Sequence, residues 1–114
     1  MNTVLRKKWL FTLVIIVVLG HAQVNAQTEV KGRITKSDTN DPLQGVTVVE
    51  VNQNDRQVNG TNTDATGTYS LKINNPSNRL RYSFIGFVTK TENIGGRPVI
   101  NVQLDHDSAK VFSL

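Results

Sequence analysis

The residue types that carry most enzymatic and metal chemistry are scarce in this chain. There is no cysteine, and there are only two histidines, His21 and His106. Neither histidine has a partner at metal-ligand spacing, so zinc and thiol chemistry find no support. His106 stands between Asp105 and Asp107, and the triplet "DHD" invites comparison with a metal clip. Adjacent residues of an extended chain point to opposite sides, so the triplet reads better as part of a solvated tail. Asp38, Asp41 and Asp55 fall in polar, turn-rich stretches. The stretch "DTND" (38–41), which holds the first two, lacks the glycine and distal glutamate of a calcium loop. No metal and no cofactor is implied.

Asp64 is the acidic residue in the most defined context, "TDATGTYSL" over residues 63–71. An aspartate at the first position of a turn accepts a hydrogen bond from backbone two residues on, and Gly67 permits a left-handed conformation. No second polar group is fixed beside it, so Asp64 reads as the holder of a hairpin angle and not as a base or ligand. Asn59-Gly60-Thr61 fits the glycosylation pattern, but Asn59-Gly60 is also a strong turn dipeptide, which accounts for it. Tyr69, Tyr82, Phe84 and Phe87 could together make a sugar-stacking platform. Tyr69, Tyr82 and Phe84 fall at inward phases of strands, which favours a core role. Phe87 follows Gly86 at a strand kink and is the one candidate ligand contact.

The elements that would position these residues are short and evenly spaced. "TEVKGRIT" (28–35) alternates, with Val30 and Ile34 on one face and Gly32 between them. A loop follows in which Pro42 biases Asp41 away from helix and Gly45 allows a tight re-entry. "VTVVEV" (46–51) is β-branched, and its apolar phase changes between Val48 and Val49. That change implies either a bulge or a strand covered on both faces. "TNT" (61–63), "TYSLKI" (68–73), "LRYSFI" (80–85), "FVTKTENI" (87–94) and "VINVQL" (99–104) complete the set. Ile100, Val102 and Leu104 are expected inward. Seven short strands with turn signals every 8–12 residues and no helical period predict an all-β chain, a seven-stranded antiparallel Greek-key β-sandwich.

Charge and hydropathy divide the chain further. Arg6, Lys7 and Lys8 precede the apolar run "WLFTLVIIVVL" (9–19), and a small-residue exit ends at Val24-Asn25-Ala26. This is the layout of a secretory signal peptide over residues 1–26, with cleavage after Ala26 and Ala22 as the second choice. Eleven residues rising about 1.5 Å each cover only roughly half of a ~30 Å hydrocarbon core, which disfavours an uncleaved anchor. Without the leader's three cations, ten Lys/Arg face nine Asp/Glu. That near-neutral balance leaves no basic patch for nucleic acid. The expected mature chain of 88 residues then comprises a domain over 27–105 and a short irregular tail over 106–114 that frays. A domain this small buries only about 60–65% of its unfolded surface, so its regular apolar positions are committed to packing.

Four motifs in order complete the reading: Gly32 within "VKGRI", Pro42-Leu43-Gln44-Gly45-Val46, Asp64-x-x-Gly67-x-Tyr69, and "SFIGF" ending at Gly86-Phe87. In this order and spacing the chain resembles the carboxypeptidase regulatory-like domain, a transthyretin-like (prealbumin-like) β-sandwich. More narrowly it is similar to the version at the N-terminus of SusC/RagA-like TonB-dependent outer-membrane transporters of Bacteroidetes. The resemblance implies a non-catalytic accessory module, and it makes Gly32, Pro42, Gly45, Asp64, Gly67, Tyr69, Gly86 and Phe87 a structural signature. It also implies export to the periplasm, or outer-membrane association as part of a transporter. The implied partner is another envelope protein, a transporter or surface lipoprotein, bound by docking. Relatives continue into a plug and a barrel, whereas this sequence reads "VFSL" and stops, so a shortened transporter product is one expectation. A free-standing periplasmic carbohydrate-binding module, with a glycan as ligand, is the alternative.

Overall fold

A computed structural model of the chain describes residues 28–108. The expected signal peptide, and the tail from residue 109 on, lie outside the described residues. Seven strands form: β1 (Glu29–Lys36), β2 (Thr47–Val51), β3 (Gln57–Asn62), β4 (Thr68–Lys72), β5 (Arg79–Ser83), β6 (Lys90–Asn93) and β7 (Val102–Leu104). They make two sheets, one of three strands in the order β4-β1-β7 and one of four in the order β3-β2-β5-β6. The alternating positions of β1, β4, β5 and β7 turn their apolar side chains into one shared core. That core holds Val30, Ile34, Val48, Leu71, Leu80, Ile100, Val102 and Leu104, with both tyrosines among them.

Not every strand is antiparallel, as the sequence reading expected. β1 pairs antiparallel with β4 but parallel with β7, with Ile34 beside Val102 and Lys36 beside Leu104. A parallel neighbour needs a long crossover, and here β4 and the whole second sheet lie between the two strands in the chain.

β2 realises the second reading of its phase change, a strand covered on both faces. Val48, Val49, Glu50 and Val51 are all buried, and the register against β3 shifts between Glu50 and Val51. The extra residue is Val58, so the bulge belongs to β3 and the Val48–Val49 step of β2 stays regular. Val49 and Val51 sit beside Arg81 and Arg79 of β5 on the outer face of the sheet. The aliphatic stems of those arginines cover them while the guanidinium of Arg79 reaches Asp55 at 2.5 Å.

Asn59-Gly60 is not a turn. Both residues lie inside β3, opposite Glu50 and Val49. The β2–β3 hairpin closes earlier, where the Asn52 side chain accepts from the amides of Asn54 and Arg56 and Asp55 takes a left-handed conformation (φ 59°). An aspartate tolerates that conformation because its short side chain bonds locally. The Asn59 side chain donates to the Lys72 carbonyl, tying the β3 edge of one sheet to the β4 edge of the other.

The stretch from 105 to 107 does not fray. Val88 donates to the Asp105 carbonyl at 2.9 Å, Asp107 to the Gly86 carbonyl at 2.9 Å, and Phe87 bridges His106 between them. Backbone pairing holds these residues against residues 86–88, a partner far away in sequence that local pattern does not reveal.

Candidate functional site

Four of the signature residues, Pro42, Gly45, Asp64 and Gly67, lie at one junction. Leu43 donates its amide to the Ile34 carbonyl of β1, and Gly45 donates to the Thr63 carbonyl. The Thr63 hydroxyl donates to the Leu43 carbonyl at 2.6 Å and accepts from the Val46 amide at 2.9 Å. Thr63 is 5% exposed, so a buried hydroxyl fastens the segment 42–46 to the segment leading into β4. Pro42 bridges Thr35 of β1, and Gly45 has φ +85°.

Asp64 lies next to this clasp. Its carboxylate accepts from the Thr66 amide at 2.9 Å, the Thr66 hydroxyl at 2.6 Å and the Thr68 amide at 3.1 Å. Those donors, the Thr66 hydroxyl foremost, hold its carboxyl below the usual aspartate range. Backbone two and four residues on, with the Thr66 hydroxyl, converges on one oxygen of this carboxylate, Oδ1, and the bond from the second residue on is the one the turn chemistry predicted. The turn itself differs from the expected hairpin. β3 and β4 belong to different sheets, so residues 63–67 carry the chain across the sandwich. Gly67, at φ +76°, stands where a Cβ would come within 2.6 Å of the Ile34 carbonyl oxygen, and its own carbonyl accepts the Ile34 amide at 2.8 Å.

Gly32 marks the second close approach. A Cβ there would lie 1.9 Å from the Ile100 carbonyl oxygen and 2.8 Å from Tyr69 Cε1. The same carbonyl accepts the Tyr69 hydroxyl at 2.7 Å, and that hydroxyl also meets the Tyr82 hydroxyl at 2.8 Å. The rings pack edge to face with centroids 5.7 Å apart. Burial pushes the pKa of both phenols up, Tyr82 the more strongly. Tyr69 and Tyr82 are therefore core residues, as their strand phase implied.

Phe84 and Phe87 are partly buried and pack against the core from one end. They line a groove of about 470 Å³ with Ile85, Val88 and Asp107. The Phe87 ring faces the His106 imidazole at 4.4 Å, and His106 lies 3.4 Å from an Asp38 oxygen. One face of the candidate ligand contact is thus occupied by the chain itself. Gly86, at φ +85°, makes the bend that sets Phe87 there. Among the described residues, no group of three or more His, Cys, Asp or Glu could hold a metal ion.

Glu50 was not singled out by the sequence. It is fully buried, and its carboxylate accepts from the Asn74 and Asn75 amides and from the Asn78 side chain at 2.7 Å. It anchors the loop between β4 and β5. The available signal was an acidic residue at an inward phase of an otherwise apolar strand.

The geometry agrees with three comparisons. A TonB-dependent receptor P3 of Formosa agariphila is 29% identical over 108 residues, covering 94% of this chain and 10% of the receptor. The chain thus spans about a tenth of that relative's length. The solved structure titled the Bacillus anthracis TIE protein shares the fold, with a TM-score of 0.53 at 19% identity over 68% of this chain and 17% of that one. The model of the CarboxypepD_reg-like domain matches residues 30–111, from β1 to beyond the Phe87–His106 bridge, and the chain belongs to that family.

Proposed function

We propose that this chain is a non-catalytic docking module of the bacterial envelope, associated with a TonB-dependent nutrient transporter and binding another envelope protein. The observation that carries this reading is how the fold uses its polar groups. Glu50, Asp64, Thr63, Tyr69 and Tyr82 are each bonded to the chain's own backbone or to one another. The backbone that remains available lies at the sheet edges, where β3, β4, β6 and β7 each have a strand on one side only. An exposed edge is a template for an added strand. The similarity to a TonB-dependent receptor supports the transporter association, and export through a leader over residues 1–26 accords with it. No helix among the described residues is long and apolar enough to cross a membrane.

The test is fractionation of an epitope-tagged chain from the cell that makes it, after mild cross-linking. Co-purification with a TonB-dependent receptor is expected. Recovery of the chain free of any receptor overturns the association, and hydrolysis of peptides or glycans by the purified protein overturns the non-catalytic assignment. Titration with oligosaccharides separates the carbohydrate-binding alternative: binding at millimolar concentration that Phe87→Ala abolishes would replace docking with glycan capture.

A further inference from the structure

The two flanks of the sandwich differ. On one, the Asn59 side chain of β3 donates to the Lys72 carbonyl of β4 and links the sheets. On the other, β6 and β7 are the edges of opposite sheets. Here the chain is stitched only at one end, where residues 86–88 pair with 105–107. Past that stitch a groove of about 630 Å³ opens, lined by Arg33, Thr35, Lys90, Asn101, Val102 and Gln103.

The chemistry of this groove is one-sided. It carries two cations and no carboxylate. Ion pairs elsewhere engage Lys31, Arg79, Arg81 and Arg97, whereas Arg33 and Lys90, like Lys36, Arg56 and Lys72, are in no ion pair among the described residues. Arg33 Nε donates to the Thr66 carbonyl at 3.2 Å, and these two cations, Arg33 and Lys90, are the ones that share a groove. Asn101 Oδ1 already accepts from the Arg33 amide and Gln103 Nε2 already donates to Asn40, so the remaining capacity beside this strand edge is the Asn101 amide nitrogen, the Gln103 amide oxygen and the Thr35 hydroxyl. Two uncompensated charges along such an edge favour a partner of opposite sign.

We propose that the slot between β6 and β7 receives an extended acidic peptide segment of a partner protein, added as a strand along β7 with its carboxylates against Arg33 and Lys90. This rests on the docking reading above and names its edge and partner chemistry. Main-chain pairing with β7 supplies affinity, and alternate acidic side chains supply selectivity.

The test uses the isotope-labelled full chain and a short capped peptide that alternates glutamate with threonine. Backbone amide shifts should concentrate in Asn101–Gln103 and Lys90–Asn93. Lys90→Glu should weaken binding about tenfold, the scale of one lost charge contact. Lys72→Glu makes the same charge change on the opposite flank and should leave binding unaltered, and the peptide with lysine for glutamate should not bind. Shifts at β3 or β4 instead would keep docking but overturn this slot. Concentration-dependent self-association through β7 would show that a second copy is the occupant and overturn the acidic partner. No binding at millimolar peptide overturns the proposal, while receptor co-purification tests the docking reading independently.

Discussion

Replacing Gly32 by alanine adds a single methyl group where the structure has no room for one. The new Cβ would lie 1.9 Å from the Ile100 carbonyl oxygen and 2.7 Å from its carbon, in rigid backbone on one side and beside the Tyr69 ring on the other. Reaching ordinary contact requires the segment before β7 to retreat by roughly 1.5 Å. That retreat breaks the Ile100 amide bond to the Lys31 carbonyl, the Lys31 amide bond to Pro98 and the Tyr69 hydroxyl bond to Ile100. Three hydrogen bonds at about 1 kcal/mol each, together with some overpacking strain, give a loss of about 3–5 kcal/mol. A small domain has a stability of about 5–15 kcal/mol, so most of it is at stake. Urea unfolding followed by far-ultraviolet circular dichroism measures this; with a slope of about 1–3 kcal/mol per molar, the midpoint should fall by about 1 M or more. Gly95→Ala is the control, because Gly95 has a positive φ of 56° and nothing within 4 Å of its Cβ position. It should show only the left-handed penalty of about 1–2 kcal/mol. If Gly32→Ala lowers the midpoint no further than Gly95→Ala, the close-approach argument is wrong.

Glu50→Gln turns an amide group toward donors and should cost about 2–3 kcal/mol, with the Asn74 and Asn75 amides losing hydrogen-exchange protection first; unchanged protection there would refute the anchoring role. Gly67→Val should destabilise by about 3 kcal/mol or more through the Ile34 clash and the left-handed backbone. Asp64→Asn should be mild at neutral pH. Because the folded protein depresses the Asp64 pKa, its contribution is present above the unfolded value and lost as pH falls through the folded one, so the two proteins' urea midpoints should converge in acid. Tyr69 and Tyr82 are the only tyrosines, and burial raises both, so the stabilising neutral phenols hold below the unfolded value near 10 and stability falls above it. Phenolate absorbance should therefore appear only together with alkaline unfolding; ordinary titration in the folded protein would contradict the buried pair.

Alternation made most of this fold legible. Val30 and Ile34, Leu80 and Tyr82, and Ile100, Val102 and Leu104 are all buried where a period of two puts them. The turn at Asp64 was legible because its hydrogen bonds span only four residues. One failure comes from a competing local turn, and the others from pairing between distant segments. The Asn59-Gly60 dipeptide favours a turn locally, yet Asn52 and Asp55 closed the hairpin first and left Gly60 to pass beside Val49. His106 looked solvated because its partners, Phe87 and Asp38, lie far back in the chain. The parallel β1–β7 pair and the buried carboxylate of Glu50 were hidden for the same reason. Of the candidate site, the turn and core signature could be read in advance, while the basic slot depends on how β6 and β7 diverge.

The parallel pairing of the first and last strands has a mechanical consequence. Tension applied at the start of β1 and the end of β7 acts on opposite ends of two aligned strands. Such a load shears the ladder, stretching its hydrogen bonds together, whereas an antiparallel terminal pair would open one rung at a time. Rupture under load is governed by the unfolding rate, so the resistance is kinetic and is set by bonds that must fail at once. A load placed on both ends of the domain should therefore be resisted by this ladder as a unit.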